Sequence, residues 1–172
     1  MKEISVVELK INPMTMIAGE WMLVTAGSEE RGYNTMTASW GHLGSMWGHG
    51  GGLPTAVIYL RPQRYTTEFV DREEFFTLSV FPGEYKKALG YLGSHSGRDG
   101  DKVAAVGPTP EFADNTTWFR EAKLVLVCRK LYKGTLEAEG FLDPTIVPDH
   151  YPKGDFHHMY VGEIVKVLVS EA

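Results

Sequence analysis

The 172-residue chain predicts a mainly β fold, an antiparallel barrel or sandwich with a few short helices at its edge. Three observations carry this. Short runs that alternate apolar and polar residues, or are wholly apolar, recur along the chain, as at 34–40 and 55–60. Glycine and proline clusters punctuate these runs, so turns rather than long crossovers join the strands. No GxGxxG follows a strand and opens a helix, which argues against a doubly wound dinucleotide-binding sheet.

The elements follow in order. Ile4, Val6 and Val7 suffice for a short leading strand that Pro13 breaks. Residues 21–26 read as a buried strand, and the polar turn 27–32 returns it as a hairpin into the strand 34–40. There Thr35, Thr37 and Ser39 share one face, and Met36, Ala38 and Trp40 the other. Residues 41–54 read as a loop with six glycines, His42, Trp47 and His49, either a lid or a place where backbone approaches a ligand. A strand at 55–60 leads to Pro62, which opens a helix continuing to residue 74. Next come a strand at 75–81, a helix at 85–92, a polar loop at 93–102 and one helical turn at 102–106. A loose segment carries Trp118 and Phe119. A long strand at 122–132, a partner at 136–141, a turn-rich stretch and a closing strand at 156–170 complete the chain. No repeat or linker divides it, so residues 1–172 read as one domain.

Composition narrows the function. The net charge is −5, from 17 basic and 22 acidic residues, and the basic residues are scattered, which disfavours nucleic acid as the main partner. A single cysteine, Cys128, excludes an internal disulfide framework and suits a reducing, cytoplasmic compartment. No apolar run is long enough for a membrane helix, and no signal peptide is expected. Six histidines show no zinc spacing, so no metal site is expected.

The chemistry concentrates in residues 34–67. Arg61, Arg64, Tyr65 and Thr66 surround a helix start, where free N–H groups and the macrodipole favour an anion. A phosphate suits that end, and a flat polar ring edge suits the hydroxyl face of the preceding strand. The bland readings are specific too. Arg61 and Arg64 could pair with Glu68 or Asp71, and Met36 and Trp40 read as core. His95 and Ser96 lie in a polar loop, where His95 is either a surface residue or a contact to a ligand or second subunit. His157 and His158 point to opposite faces of their strand, so one of them could face a site.

The run Asn34-Thr35-Met36-Thr37-Ala38-Ser39-Trp40-Gly41, the step Leu60-Arg61-Pro62-Gln63-Arg64-Tyr65-Thr66, the strand at 76–82 and the closing 157–163 resemble the flavin reductase-like, FMN-binding split-barrel proteins, most of all the flavoredoxin-type branch. The resemblance implies a split, Greek-key β-barrel and a homodimer with FMN near its interface. It implies cofactor contacts at Asn34, Thr35, Met36, Thr37, Ser39, Trp40, Arg61, Arg64, Tyr65 and Thr66. Trp47, His95, Ser96 and His158 are then substrate-side or dimer-side contacts. FMN rather than FAD is the expected cofactor, NAD(P)H the donor, and a flavin, ferric iron or a protein the acceptor. No side chain is expected to be catalytic, because flavin enzymes use the protein to bind, orient and tune the ring. Two other readings share the same phosphate clamp: an FMN electron-transfer protein without NAD(P)H activity, and a non-enzymatic flavin-binding module.

Overall fold

The computed structural model describes residues 1–171. The chain opens with β1 (Lys2–Ile4) and a helical stretch, α1 (Pro13–Thr15), that runs on through Glu20. Pro13 therefore starts a helix as well as ending the leading segment, and the Asn12 side chain caps it by accepting from the Met14 N–H at 3.1 Å. Strands β2 (Met22–Ser28) and β3 (Gly32–Ala38) form the expected hairpin.

Residues 41–54 are not a loop: β4 (Gly41–Met46) pairs antiparallel with β5 (Leu53–Leu60), and only residues 47–52 form the turn. Glycines hide the side-chain period of β4, but its backbone still pairs with the regular strand beside it.

Helix α2 (Tyr65–Arg72) begins three residues after Pro62, which lies in the turn that leads into it, and ends two residues before 74, whereas strand β6 (Phe75–Val80) and helix α3 (Lys86–Ser94) stand where the apolar pattern placed them. Residues 102–106 form turns rather than a helix. The segment around Trp118 is a hairpin of β7 (Pro110–Ala113) and β8 (Thr116–Phe119). Strand β9 (Leu124–Thr135) is followed by a tight turn at Ala138–Gly140 and a short α4 (Ile146–His150), so the expected partner strand at 136–141 is absent. That stretch lacks a run long enough to form a ladder. Strand β10 (His158–Val169) closes the fold.

The main sheet runs β3-β2-β6-β9-β10-β5-β4, with β1 added to β10, and every pairing is antiparallel. The split-barrel fold class holds. The two ends of the sheet, β3 and β4, are consecutive in sequence, joined through Ser39 and Trp40 rather than by a ladder. Strand β10 bends as it passes from β5 to β1, with register shifts against β9 at Val161/Gly162 and near Val165. Gly162 is required there, since an added Cβ would lie 2.7 Å from the Phe76 ring.

Two apolar cores lie on the two faces of the sheet. Met22, Val24, Ile58, Leu60, Phe76, Leu126 and Tyr160 fill the barrel. Leu23, Leu89, Leu92, Phe119 and Val125 pack the outer face against α3 and the β7–β8 hairpin. Cys128 is wholly buried, and burial pushes its thiol well above the ordinary range, so it is inert. Among the described residues no helix is long and apolar enough to cross a membrane, and no cluster of metal-ligating side chains occurs.

Candidate functional site

Strand β3 lies at one end of the sheet, so half of its backbone N–H and C=O groups face away from β2 with no second strand to meet them. A groove runs along that edge. Its middle, about 260 Å³, is lined by residues 36–40 with Tyr59, Arg61, Arg64 and His157. On one side it shares Met36, Arg61 and Arg64 with a cavity of about 340 Å³. On the other it shares Ser39, Trp40 and Tyr59 with a cavity of about 550 Å³.

The first of these is cationic. The start of α2 supplies the N–H groups of Tyr65 and Thr66, which precede the first intrahelical acceptor and have no side-chain cap. Arg64 donates from Nη1 to the Gly93 carbonyl at 3.0 Å and has no carboxylate partner among the described residues. Lys102 is buried and donates to the Leu92 and His95 carbonyls at 2.7 and 2.9 Å. These two cations therefore bind the C-terminal carbonyls of α3 while facing the N-terminus of α2. Burial, and then the neighbouring Arg64, lowers the Lys102 pKa to about 8. Asn34 donates to the Thr66 hydroxyl at 2.8 Å, tying β3 to α2 beneath the cavity. Gly97 lets the loop close over it, for an added Cβ would sit 2.2 Å from the side-chain amide oxygen of Asn34.

The far end is apolar. Met14, Ile17, Ala18, Leu43 and Leu136 line it with Trp40, and no Lys, Arg, Asp or Glu does. Its polar side chains include Ser39, Tyr151 and a Tyr59–His42 pair, hydroxyl to Nδ1 at 3.3 Å. Burial raises the Tyr59 pKa, so this phenol stays neutral.

Between the ends sits His157, 7% exposed, with Nδ1 2.7 Å from the Tyr151 hydroxyl. Burial, then Arg61, lowers its pKa to about 4, so the ring is neutral at physiological pH. The Trp40 and His157 rings lie 5.0 Å apart.

Many of the expected residues come together: Asn34, Met36, Arg61, Arg64, Tyr65, Thr66, His95 and Ser96 at the cationic end, Thr37, Ser39 and Trp40 along the middle. Several expectations need correction. The Thr35 hydroxyl is buried 2.7 Å from that of Thr25 and donates to the Val24 carbonyl, so it does not face the groove. Thr37 donates its hydroxyl to Leu89 in α3 at 2.5 Å. The hydroxyl face of β3 thus serves the outer core, and the strand's backbone edge serves the groove. Arg61 is held by Asp155 at 2.5 Å and by the His150 carbonyl at 2.8 Å. Its partner is neither Glu68, which binds Arg98, nor Asp71, which binds Lys133. Trp40 is 44% exposed and forms groove wall rather than core. Trp47 stands exposed at the hairpin tip with φ +58° and lines none of the three cavities, so of its two expected roles the structure speaks against the substrate side and not against the dimer side. His158 also points away, bonding Thr135 at 2.9 Å, and its neighbour His157 takes the site.

Sequence reasoning missed Tyr59, Lys102, Tyr151 and the choice of His157. Alternation flagged one histidine of the pair, but only the position of Tyr151, just after α4, decides which. Lys102 carries no local signal, because its role comes from burial.

The family model for a flavin reductase like domain matches residues 14–172. No curated protein matches the chain. An FMN-binding protein from Thermus thermophilus, solved with 1-cyclohex-2-enone, is similar at 24% identity over 88% of this chain and 70% of its own, with a TM-score of 0.66. Flavoredoxin of Desulfovibrio vulgaris (Miyazaki F) is similar at 23% identity over 88% and 69%, with a TM-score of 0.65. The styrene monooxygenase flavin reductase of Pseudomonas putida S12 is similar at 14% identity over 89% and 80%, with a TM-score of 0.61.

Proposed function

The chain belongs to the flavin reductase like domain family, and from that premise we propose that it is an FMN-binding oxidoreductase that draws electrons from NAD(P)H. The observation that carries the reading is the polarity of the groove. One end offers Arg64, Lys102 and a helix start to an anion, and the other offers an uncharged, largely apolar wall. A flat ring with a phosphate tail fits that gradient.

The residues present suit FMN. Arg64, Lys102 and the N–H groups of Tyr65 and Thr66 would hold the phosphate with charge-assisted bonds. The free backbone edge of β3 would meet the polar edge of the ring, and Trp40 and Tyr59 would flank it. When bound, FMN supplies two-electron redox chemistry, accepting hydride from NAD(P)H and passing electrons to a flavin, ferric or protein acceptor. The chain's part is to bind, orient and tune. No carboxylate lines the middle or the apolar end, so nothing there opposes negative charge on the ring. Neutral His157, fixed by Tyr151, offers a hydrogen bond without adding charge.

A homodimer belongs to the same proposal. The exposed Met46, Trp47, Tyr132 and Val165 are apolar surface for an isologous contact, and light scattering should give twice the 19.2 kDa chain mass.

The test is to add FMN to cofactor-free protein, follow flavin fluorescence, and then mix the complex anaerobically with NADH or NADPH. Saturable binding followed by bleaching of the flavin absorbance supports the reading. Binding without bleaching assigns an electron-transfer role instead, and failure to bind FMN ends the proposal.

A further inference from the structure

The apolar cavity is the larger of the two that flank the middle of the groove, about 550 Å³ against about 340 Å³. Whole small-molecule sites run from about 300 to 1,000 Å³, so it has room for a ligand of its own. It meets the middle at Ser39, Trp40 and Tyr59 and shares no lining residue with the cationic end. A molecule seated in it therefore borders whatever lies along β3.

Charge decides what fits. No Lys, Arg, Asp or Glu among the described residues lines this cavity. Free flavin phosphates, dinucleotides and ferric chelates carry charge and would meet no counter-charge there, and an unpaired charge is costly to take out of water. An uncharged molecule incurs no such cost. The walls join Trp40, Tyr59 and Tyr151 to Met14, Ile17 and Leu43, which favours a flat carbon skeleton.

The hydrogen-bonding groups narrow the class further. The Tyr151 hydroxyl is engaged by His157, 2.7 Å away. Tyr59 stands where the cavity meets the middle, and its side-chain partner is the exposed His42, hydroxyl to Nδ1 at 3.3 Å. With a proton on Nδ1, His42 donates to the Tyr59 oxygen and leaves the phenol O–H to donate to a ligand. A carbonyl oxygen accepts such a bond.

We propose that the apolar cavity seats an uncharged quinone as electron acceptor, with Tyr59 donating to one of its oxygens and His42 positioning Tyr59. This rests on the flavin reading above and names its acceptor class. The reaction balances. The quinone takes a hydride, two electrons and one proton, from an N–H of reduced FMN at one oxygen and the Tyr59 proton at the other. Two O–H bonds form, FMN returns to its oxidised state, and the product is the hydroquinone. Tyr59 regains its proton from His42, which takes one from solvent.

The first measurement is equilibrium dialysis of FMN-free and FMN-loaded protein against menadione, an uncharged naphthoquinone, and against the charged 1,4-naphthoquinone-2-sulfonate. Ala18→Phe is compared with wild type. Ala18 is exposed on the cavity wall, so phenylalanine fills the space without entering the core, and circular dichroism confirms folding. Menadione should bind both forms about tenfold tighter than the sulfonate, and Ala18→Phe should lower its affinity about tenfold. The second measurement mixes menadione with protein-bound FMN reduced by one equivalent of dithionite, which leaves NAD(P)H out. Tyr59→Phe should slow reoxidation about hundredfold. His42→Leu should slow it as well, and His42→Asn, which keeps an N–H donor, should restore most of the rate. Equal affinity for the two quinones, displacement of menadione by FMN, or unchanged affinity in Ala18→Phe overturns the site. Unchanged reoxidation in Tyr59→Phe overturns the donor. If FMN binds and bleaches with NAD(P)H while menadione does not bind, this proposal falls and the flavin reading stands. If menadione binds as expected while FMN does not, the flavin reading falls and takes the acceptor role with it.

Discussion

Replacing Arg64 with alanine isolates the cationic end of the groove. Arg64 is exposed, and its protein contact is one hydrogen bond from Nη1 to the Gly93 carbonyl at 3.0 Å. Losing that bond costs the FMN-free protein about 0.5–1.5 kcal/mol. The remaining guanidinium donors are free for a ligand, since no carboxylate engages them among the described residues. A charge-assisted bond to phosphate contributes about 1.5–3 kcal/mol, so FMN affinity should fall about tenfold to 150-fold. Riboflavin lacks the phosphate and should bind the variant and wild type alike. Fluorescence titration of both flavins against both proteins measures this, with a denaturant curve to read the stability cost separately. Arg61→Ala is the contrast. Because Arg61 holds Asp155 and the His150 carbonyl, its loss should loosen the segment 136–157 between β9 and β10 and weaken both flavins. If Arg64→Ala weakened riboflavin as much as FMN, the residue would be a brace for α3 and not a phosphate ligand.

Four further outcomes follow from the same geometry. FMN affinity should fall as pH rises through about 8, where buried Lys102 loses its proton, and Lys102→Met should abolish that dependence in a fluorescence titration from pH 7 to 9. The same depressed pKa means that the unfolded chain holds the extra proton between about 8 and the ordinary 10.5, so Lys102 makes stability rise with pH in that window. His157 acts on the acid side: its neutral form stabilises the fold fully above the ordinary 6.5, and this is lost as pH falls toward about 4, so His157→Gln should flatten the urea midpoint between those values. Trp47→Ala should leave FMN affinity and reduction by NAD(P)H unchanged, because the hairpin tip lines no part of the groove; a changed reduction rate would return the tip to the site.

Local chemistry made much of this protein legible in one dimension. Alternation and Gly/Pro punctuation located β2, β3, β5, β6, β9 and β10, because each buries a face against a core and must repeat with period two. The contiguous run from Arg61 to Thr66 located the anion end, though Pro62 sits in the turn and α2 starts only at Tyr65. What tertiary structure alone decided is everything that depends on a partner distant in sequence. Strand β4 is glycine-rich and becomes a strand only because β5 pairs with it. The hydroxyls of Thr35 and Thr37 look alike in the sequence to ligand contacts, but the outer core of α3 and β2 claims them. Arg61 and Arg64 are three residues apart and share one motif, yet Asp155, 94 residues away, takes the first and leaves the second free. Lys102 and His157 draw their character from burial, which no local pattern encodes, because desolvation is set by the whole of what is packed around a group.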